Sequence, residues 1–175
     1  LKCARPNYGF LMEETGEIYG RDNSNRWIID PLDGTLNFLH GIPHFAISVA
    51  LERDKELFAG VVYEPISDQM FWAEKGLGAW LNDSRIRVSN RNVLSESLFA
   101  TGIPFAGKNG HKNFLSQLAN VMAVSAGVRR FGAAALDLAY VATGRYEGFW
   151  EENLKYWDIA GGIVIVREAG GHITN

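Results

Sequence analysis

A single cysteine, Cys3, stands in 175 residues, so the chain cannot close a disulfide on itself. That usage suits a reducing compartment, and the cytoplasm is the expected location. Basic charge is also scarce: 17 Lys and Arg against 20 Asp and Glu leave a net charge of −3. A surface that neutralises nucleic-acid phosphates needs clustered Lys and Arg, so direct nucleic-acid binding is not expected. The lone basic doublet, Arg129-Arg130, reads as structural or local. No apolar run approaches the roughly 20 residues that span a bilayer, so no membrane association is expected. Repeats and low-complexity linkers are missing too. What remains, 47% hydrophobic and 21% charged residues, is the composition of an ordinary globular protein.

Against that plain background one segment stands out: Trp27-Ile28-Ile29-Asp30-Pro31-Leu32-Asp33-Gly34-Thr35-Leu36-Asn37-Phe38. An apolar strand runs into two carboxylates three residues apart, and Gly34 allows a tight turn after them. Carboxylates held side by side repel each other unless a cation lies between them. A hard divalent ion such as Mg²⁺ suits oxygen donors, and it completes its shell with water and substrate phosphate. The N–H groups of Gly34 and Thr35 face the same space and could hold phosphate oxygens. The rival reading is a surface turn, since Asp-Gly is a routine turn dipeptide.

The elements around this acidic loop fall into two halves. Residues 1–12 read as irregular, broken by Pro6 and Gly9, and residues 26–30 as a strand. Residues 44–52 and 57–64 read as a hairpin across Arg53-Asp54-Lys55-Glu56, and 69–74 and 79–81 continue an antiparallel meander. Beyond residue 90, strands are expected at 98–102, 128–131 and 146–150, with helices at 111–124, 133–143 and 157–169. Two lobes follow, 1–90 mainly antiparallel sheet and 91–175 α/β. The chain opens on Leu1 and closes on Gly171–Asn175, which reads as a strand just beginning, so a piece of a longer protein is expected.

Three further acidic positions stay open on the residues alone. Glu13-Glu14 reads as a solvated pair or a metal donor, and Asp158 as a helix cap or a ligand. Glu151-Glu152 reads as a strand end. His40 and His44 have i,i+4 spacing, but Gly41 and Pro43 forbid the helix a zinc pair would need.

Asp30–Phe38 resembles the first signature of the inositol monophosphatase family, and Trp157–Gly171 resembles its second. The resemblance runs through nearly the whole chain and lies nearest to bacterial members. It implies a layered αβαβα sandwich, of α+β or α/β class, with the active site between two lobes and terminal helices and strands missing from this chain. It further implies Mg²⁺-dependent hydrolysis of a small phosphorylated polyol, myo-inositol monophosphate foremost, by metal-activated water. Two or three ions are implied, with Mn²⁺ as a substitute and sensitivity to lithium. Position by position, the resemblance makes Glu13, Asp30, Asp33, Asp158 and the Leu32 carbonyl metal ligands. Gly34 and Thr35 become the phosphate cradle, and the Thr35 hydroxyl orients the attacking water. Glu13, Asp33 and Thr35 thus form the catalytic set, while Glu151, Asp158, Gly132, Ala133 and Ala134 meet the polyol. An acidic partner of Thr35 is expected outside this chain. A homodimer is implied, and some bacterial relatives also contact the transcription machinery. Fructose 1,6-bisphosphate and a nucleotide 3′-phosphate are the competing substrates.

Overall fold

The computed structural model describes residues 1–174. Its first half is an eight-stranded sheet: β1 Tyr8–Met12, β2 Gly16–Ile18, β3 Asp22–Asp33, β4 Ala46–Arg53, β5 Glu56–Glu64, β6 Gln69–Glu74, β7 Gly78–Leu81 and β8 Ser84–Ile86. In space the order is β2-β1-β3-β4-β5-β6-β7-β8. From β3 onward every pair is antiparallel, as the hydrophobic alternation predicts. Asp54 and Lys55, both at positive φ, form the two-residue turn between β4 and β5. Left-handed backbone at both turn positions matches the right-handed twist of the flanking strands.

Two expectations change here. Residues 8–12 are a strand, not irregular chain: β1 pairs parallel with β3 from the register Gly9↔Arg26 to Met12↔Ile29. The acidic segment is not a loop either, because β3 continues through Asp33, which pairs with Ala46. Between the pairs Asp30↔Ser48 and Asp33↔Ala46, β3 advances three residues while β4 advances two. The extra residue is a bulge, and the exposed Pro31 beside it has no ladder N–H to lose.

The second half contributes β9 Leu98–Thr101, α2 His111–Met122, β10 Gly127–Arg129, α3 Ala134–Ala142, β11 Gly148–Trp150 and α4 Tyr156–Glu168, close to the expected bounds. β9 is the centre of a parallel three-stranded sheet, β10-β9-β11. Residues 171–174 form no strand, contrary to the expectation for the chain's end, and Asn175 lies outside the described residues.

α3 buries Ala134, Ala135, Leu136, Leu138, Ala139 and Ala142, so it is apolar nearly all round. Such a helix belongs in an interior. It packs against α4, and together they cover one face of the large sheet while α3 also meets β11. α4 crosses β3 to β7 at very short range. A Cβ on Gly161 would lie 2.8 Å from Ser48 Oγ, and one on Gly60 would lie 2.4 Å from the Gly161 carbonyl oxygen. Only glycine permits that approach. The far end of α4 is tied down by Glu168, whose carboxylate accepts the Gly76 and Gly78 N–H groups at 3.0 and 2.9 Å. Sheet, helix pair, second sheet and α2 succeed one another as a layered α+β fold. Among the described residues no helix is long and apolar enough to cross a membrane.

Candidate active site

In a regular strand, residues three apart point to opposite faces. The bulge in β3 shifts that parity by one, so Asp30 and Asp33 both face α3 and α4. The site begins with this geometric consequence of one extra residue. β1 ends beside β3, with the Glu13 N–H donating to the Ile29 carbonyl at 3.3 Å, which sets Glu13 next to Asp30. α4 begins over the same strand and brings Asp158 to the group.

Asp30 is 2% exposed. Burial pushes its carboxyl up to about 7; the Leu32 N–H, donating at 2.9 Å, opposes the rise, and the Glu13 and Asp158 carboxylates add to it. Asp33 is held well above the usual carboxylate range by burial and by Asp30, with the Ala135 N–H, at 2.8 Å, pulling the other way. Asp158 is also raised by burial, against the Lys155 N–H at 2.7 Å and the charges of Lys155 and Lys108. The helix-cap reading of Asp158 therefore holds, and the cap occupies one carboxylate oxygen. No Lys or Arg forms an ion pair with Glu13, Asp30, Asp33 or Asp158 among the described residues.

Such a gathering of unneutralised carboxylates fits a hard divalent cation in charge and donor type. The cage is not preformed: among the described residues no three Asp, Glu, His or Cys side chains converge as a ready metal site. The hydrogen bonds explain why. Asp30, Asp33 and Asp158 each turn an oxygen onto a backbone N–H, yet an ionised carboxylate has about four acceptor positions, so each keeps donors for a cation.

Gly34 caps the short helix α1, Thr35–Leu39, at φ 86°. A Cβ there would lie 3.0 Å from the His44 carbonyl oxygen and 3.3 Å from Ala133 Cβ, so the turn rests directly on residue 133. The Thr35 hydroxyl donates to the Leu32 carbonyl at 2.8 Å, joining two of the expected site atoms to each other. Asn37 closes the arrangement. It is buried, and its amide donates to the His44 and Phe131 carbonyls at 2.8 and 2.7 Å. This residue lies inside the quoted motif, but the sequence reading assigns it no role; a polar amide in an apolar turn was the available signal. Through it the Gly34–Thr35 turn and the Gly132–Ala134 segment are held together.

Glu151 follows β11, its carboxylate lying over Gly102 where a Cβ would collide with it. Burial raises its pKa, Arg130 opposes, and Asp158 adds to the rise. A cavity of about 390 Å³ opens here, bordered by Glu13, Glu151, Asp158, Lys108, Phe105 and Trp157. That is room for a small organic phosphate. Asp30, Asp33 and Thr35 lie outside its lining. A buried acid nearby, Asp137 on α3, is 1% exposed and was not foreseen. Burial pushes it to about 8, the Glu151 charge adds, and Arg130 opposes.

The sequence profile of the inositol monophosphatase family matches residues 1–175. The chain belongs to the inositol monophosphatase family. It is 55% identical over 175 residues to an inositol-1-monophosphatase of Mesorhizobium japonicum, covering all of this chain and 66% of that protein. It is 45% identical over 179 residues to the Nus factor SuhB of Pseudomonas aeruginosa, again 66% of the relative's length. The crystal structure of extragenic suppressor protein suhB from Bartonella henselae superposes with a TM-score of 0.94 at 58% identity, over 97% of this chain and 65% of that one. An inositol monophosphatase from Anabaena does so at 0.88 and 38%, over 97% and 67%. The chain thus spans about two thirds of these family members, and its layered fold is theirs.

Proposed function

We propose that the protein hydrolyses a small polyol monophosphate, myo-inositol monophosphate foremost, in a Mg²⁺-dependent reaction. The observation that carries this reading is the gathering of Glu13, Asp30, Asp33 and Asp158 beside the Gly34 turn: burial raises the last three, and neighbouring carboxylates push Asp30 and Asp33 up further. Those four side chains and the Leu32 carbonyl hold the ions, two or three in number, with Mn²⁺ able to replace Mg²⁺. When bound, the metal activates water and stabilises the leaving oxygen.

The chain's own residues supply the rest. The first N–H groups of α1 have no intrahelical partner, so those of Gly34 and Thr35 take the phosphate oxygens. The Thr35 hydroxyl leaves the Leu32 carbonyl to orient the attacking water. Glu151 accepts hydrogen bonds from polyol hydroxyls, and Gly132, Ala133 and Ala134 lie against the ring. Asn37 keeps that segment and the phosphate turn in register. A cytoplasmic homodimer, with further residues contributed by the longer protein, completes the proposal.

The test is a panel of phosphate monoesters on the full-length protein with Mg²⁺, with and without Li⁺. Inositol 1-phosphate should lead fructose 1,6-bisphosphate and nucleotide 3′-phosphates, and Li⁺ should inhibit. Preference for either competitor would reassign the substrate. A second reading rests on the 45% identity to a Nus factor: the protein binds the transcription machinery. Capture of RNA polymerase components by a catalytically dead variant would support it, and their absence beside robust turnover would remove it.

A further inference from the structure

Glu52 is a buried carboxylate outside the metal cluster, 7% exposed, with a full set of partners. It lies on β4 directly opposite Arg26 of β3. Arg26 grips it with Nε at 2.6 Å and Nη2 at 3.3 Å, and its Nη1 also reaches Glu17 of β2 at 2.9 Å. The third partner comes from α4: the Tyr156 hydroxyl donates to Glu52 Oε2 at 3.0 Å. Tyr156 is the first residue of α4 and Asp158 the third.

The pairing register converts this contact into a ruler. Along β3 and β4, one face presents Arg26↔Glu52, then Ile28↔Ala50, then Asp30↔Ser48. The opening of α4 follows the same ladder. Tyr156 bonds Glu52, Tyr156 and Trp157 pack with Ala160 on Ile28 and Ala50, and Asp158 stands near Asp30. Further along, α4 lies against the sheet backbone at Gly161, where a Cβ would come within 2.8 Å of Ser48 Oγ. The Glu168 contacts lie at the other end of the helix, about 15 Å from Asp158 at the 1.5 Å rise per residue. They hold that end and do not reach the first turn, where Tyr156 makes the link to the sheet.

We infer that the Arg26–Glu52–Tyr156 clamp is a positioning device that sets how far Asp158 stands from Asp30, and so sets the affinity of the metal they share. This rests on the metal-dependent reading above, and none of the three residues touches substrate or metal. A charge-assisted contact of three hydrogen bonds holds geometry better than one neutral bond. Outer partners that orient metal ligands typically change metal affinity by about 10–100-fold when removed.

The experiment measures Mn²⁺ binding to the full-length protein by calorimetry without substrate, for wild type, Tyr156→Phe, Glu52→Ala and Glu52→Gln. Tyr156→Phe and Glu52→Ala should weaken Mn²⁺ binding about tenfold, with kcat near wild type once Mg²⁺ saturates. Glu52→Gln, which still accepts hydrogen bonds, should recover part of the loss. Phe71→Leu, a core change on β6, should lower Tm comparably without moving Mn²⁺ affinity. Unchanged affinity in Tyr156→Phe and Glu52→Ala, or an equal loss in Phe71→Leu, overturns the clamp. A wild-type protein that binds no Mn²⁺ overturns the metal-dependent reading, and the clamp with it.

Discussion

Glu52 and Asp30 are buried on the same face of the same two strands, two rungs apart with Ile28 and Ala50 between them. Glu52 has an arginine fork and a tyrosine hydroxyl, whereas Asp30 has one backbone N–H and two neighbouring carboxylates. A buried charge with complete partners stabilises position, and its loss strands the partner. A buried charge surrounded by its own sign is a cost the fold tolerates for another reason. The environment, not the residue type, separates the paired carboxylate from the clustered ones.

Breaking the acidic cluster should give the largest effect. Asp33→Asn should reduce Mg²⁺-dependent phosphate release by roughly 10²–10³-fold or more, measured by steady-state assay. The same variant in EDTA should match or exceed the wild-type Tm, because a repelled charge is gone.

The pH dependence of apo stability comes next. The Asp30 carboxyl is raised to about 7 when folded, so the unfolded chain releases that proton first, near pH 4. The folded state then holds the extra proton between about pH 4 and 7, and stability falls as pH rises through that window. Asp137, raised to about 8, extends the fall. Calorimetry in EDTA should give a Tm roughly 6 °C lower at pH 8 than at pH 5. Saturating Mg²⁺ should remove the Asp30 part, and Asp30→Asn should flatten it.

On the structural side the sign reverses. Glu52→Ala should cost about 2 kcal/mol, less than a fully buried pair because Arg26 is partly exposed and keeps Glu17. Tyr156→Phe, losing one hydrogen bond to a charged group, should cost about 1 kcal/mol. Denaturant melts of both in EDTA check the pair.

Local patterns in the sequence made the hairpin β4–β5, helices α2 to α4 and the parallel strands legible, since each rests on its own alternation, period or turn. β1 was hidden because Pro6 and Gly9 mask it and its support comes from β3, not from neighbours in sequence. The acidic segment looked like a loop because a proline and a glycine usually mark one; a bulge carries the same signals. At the candidate site, the family resemblance singled out Glu13, Asp30, Asp33, Glu151 and Asp158 as candidates, but Tyr156 and Glu52 stand 104 residues apart and no local pattern joins them. Asp137 belongs to no motif, and its burial shows only once α3 is seen to be enclosed on nearly every side.

The bulge at Pro31 makes the site a matter of arithmetic as well as chemistry. Removing one residue between Asp30 and Asp33 would restore strict alternation, keep every acidic residue of the motif, and turn one carboxylate to the far side of the sheet. Substitutions here are graded, since each removes one donor. Insertions and deletions are not: a change of one in length inverts the face, so the segment can vary in composition far more readily than in count.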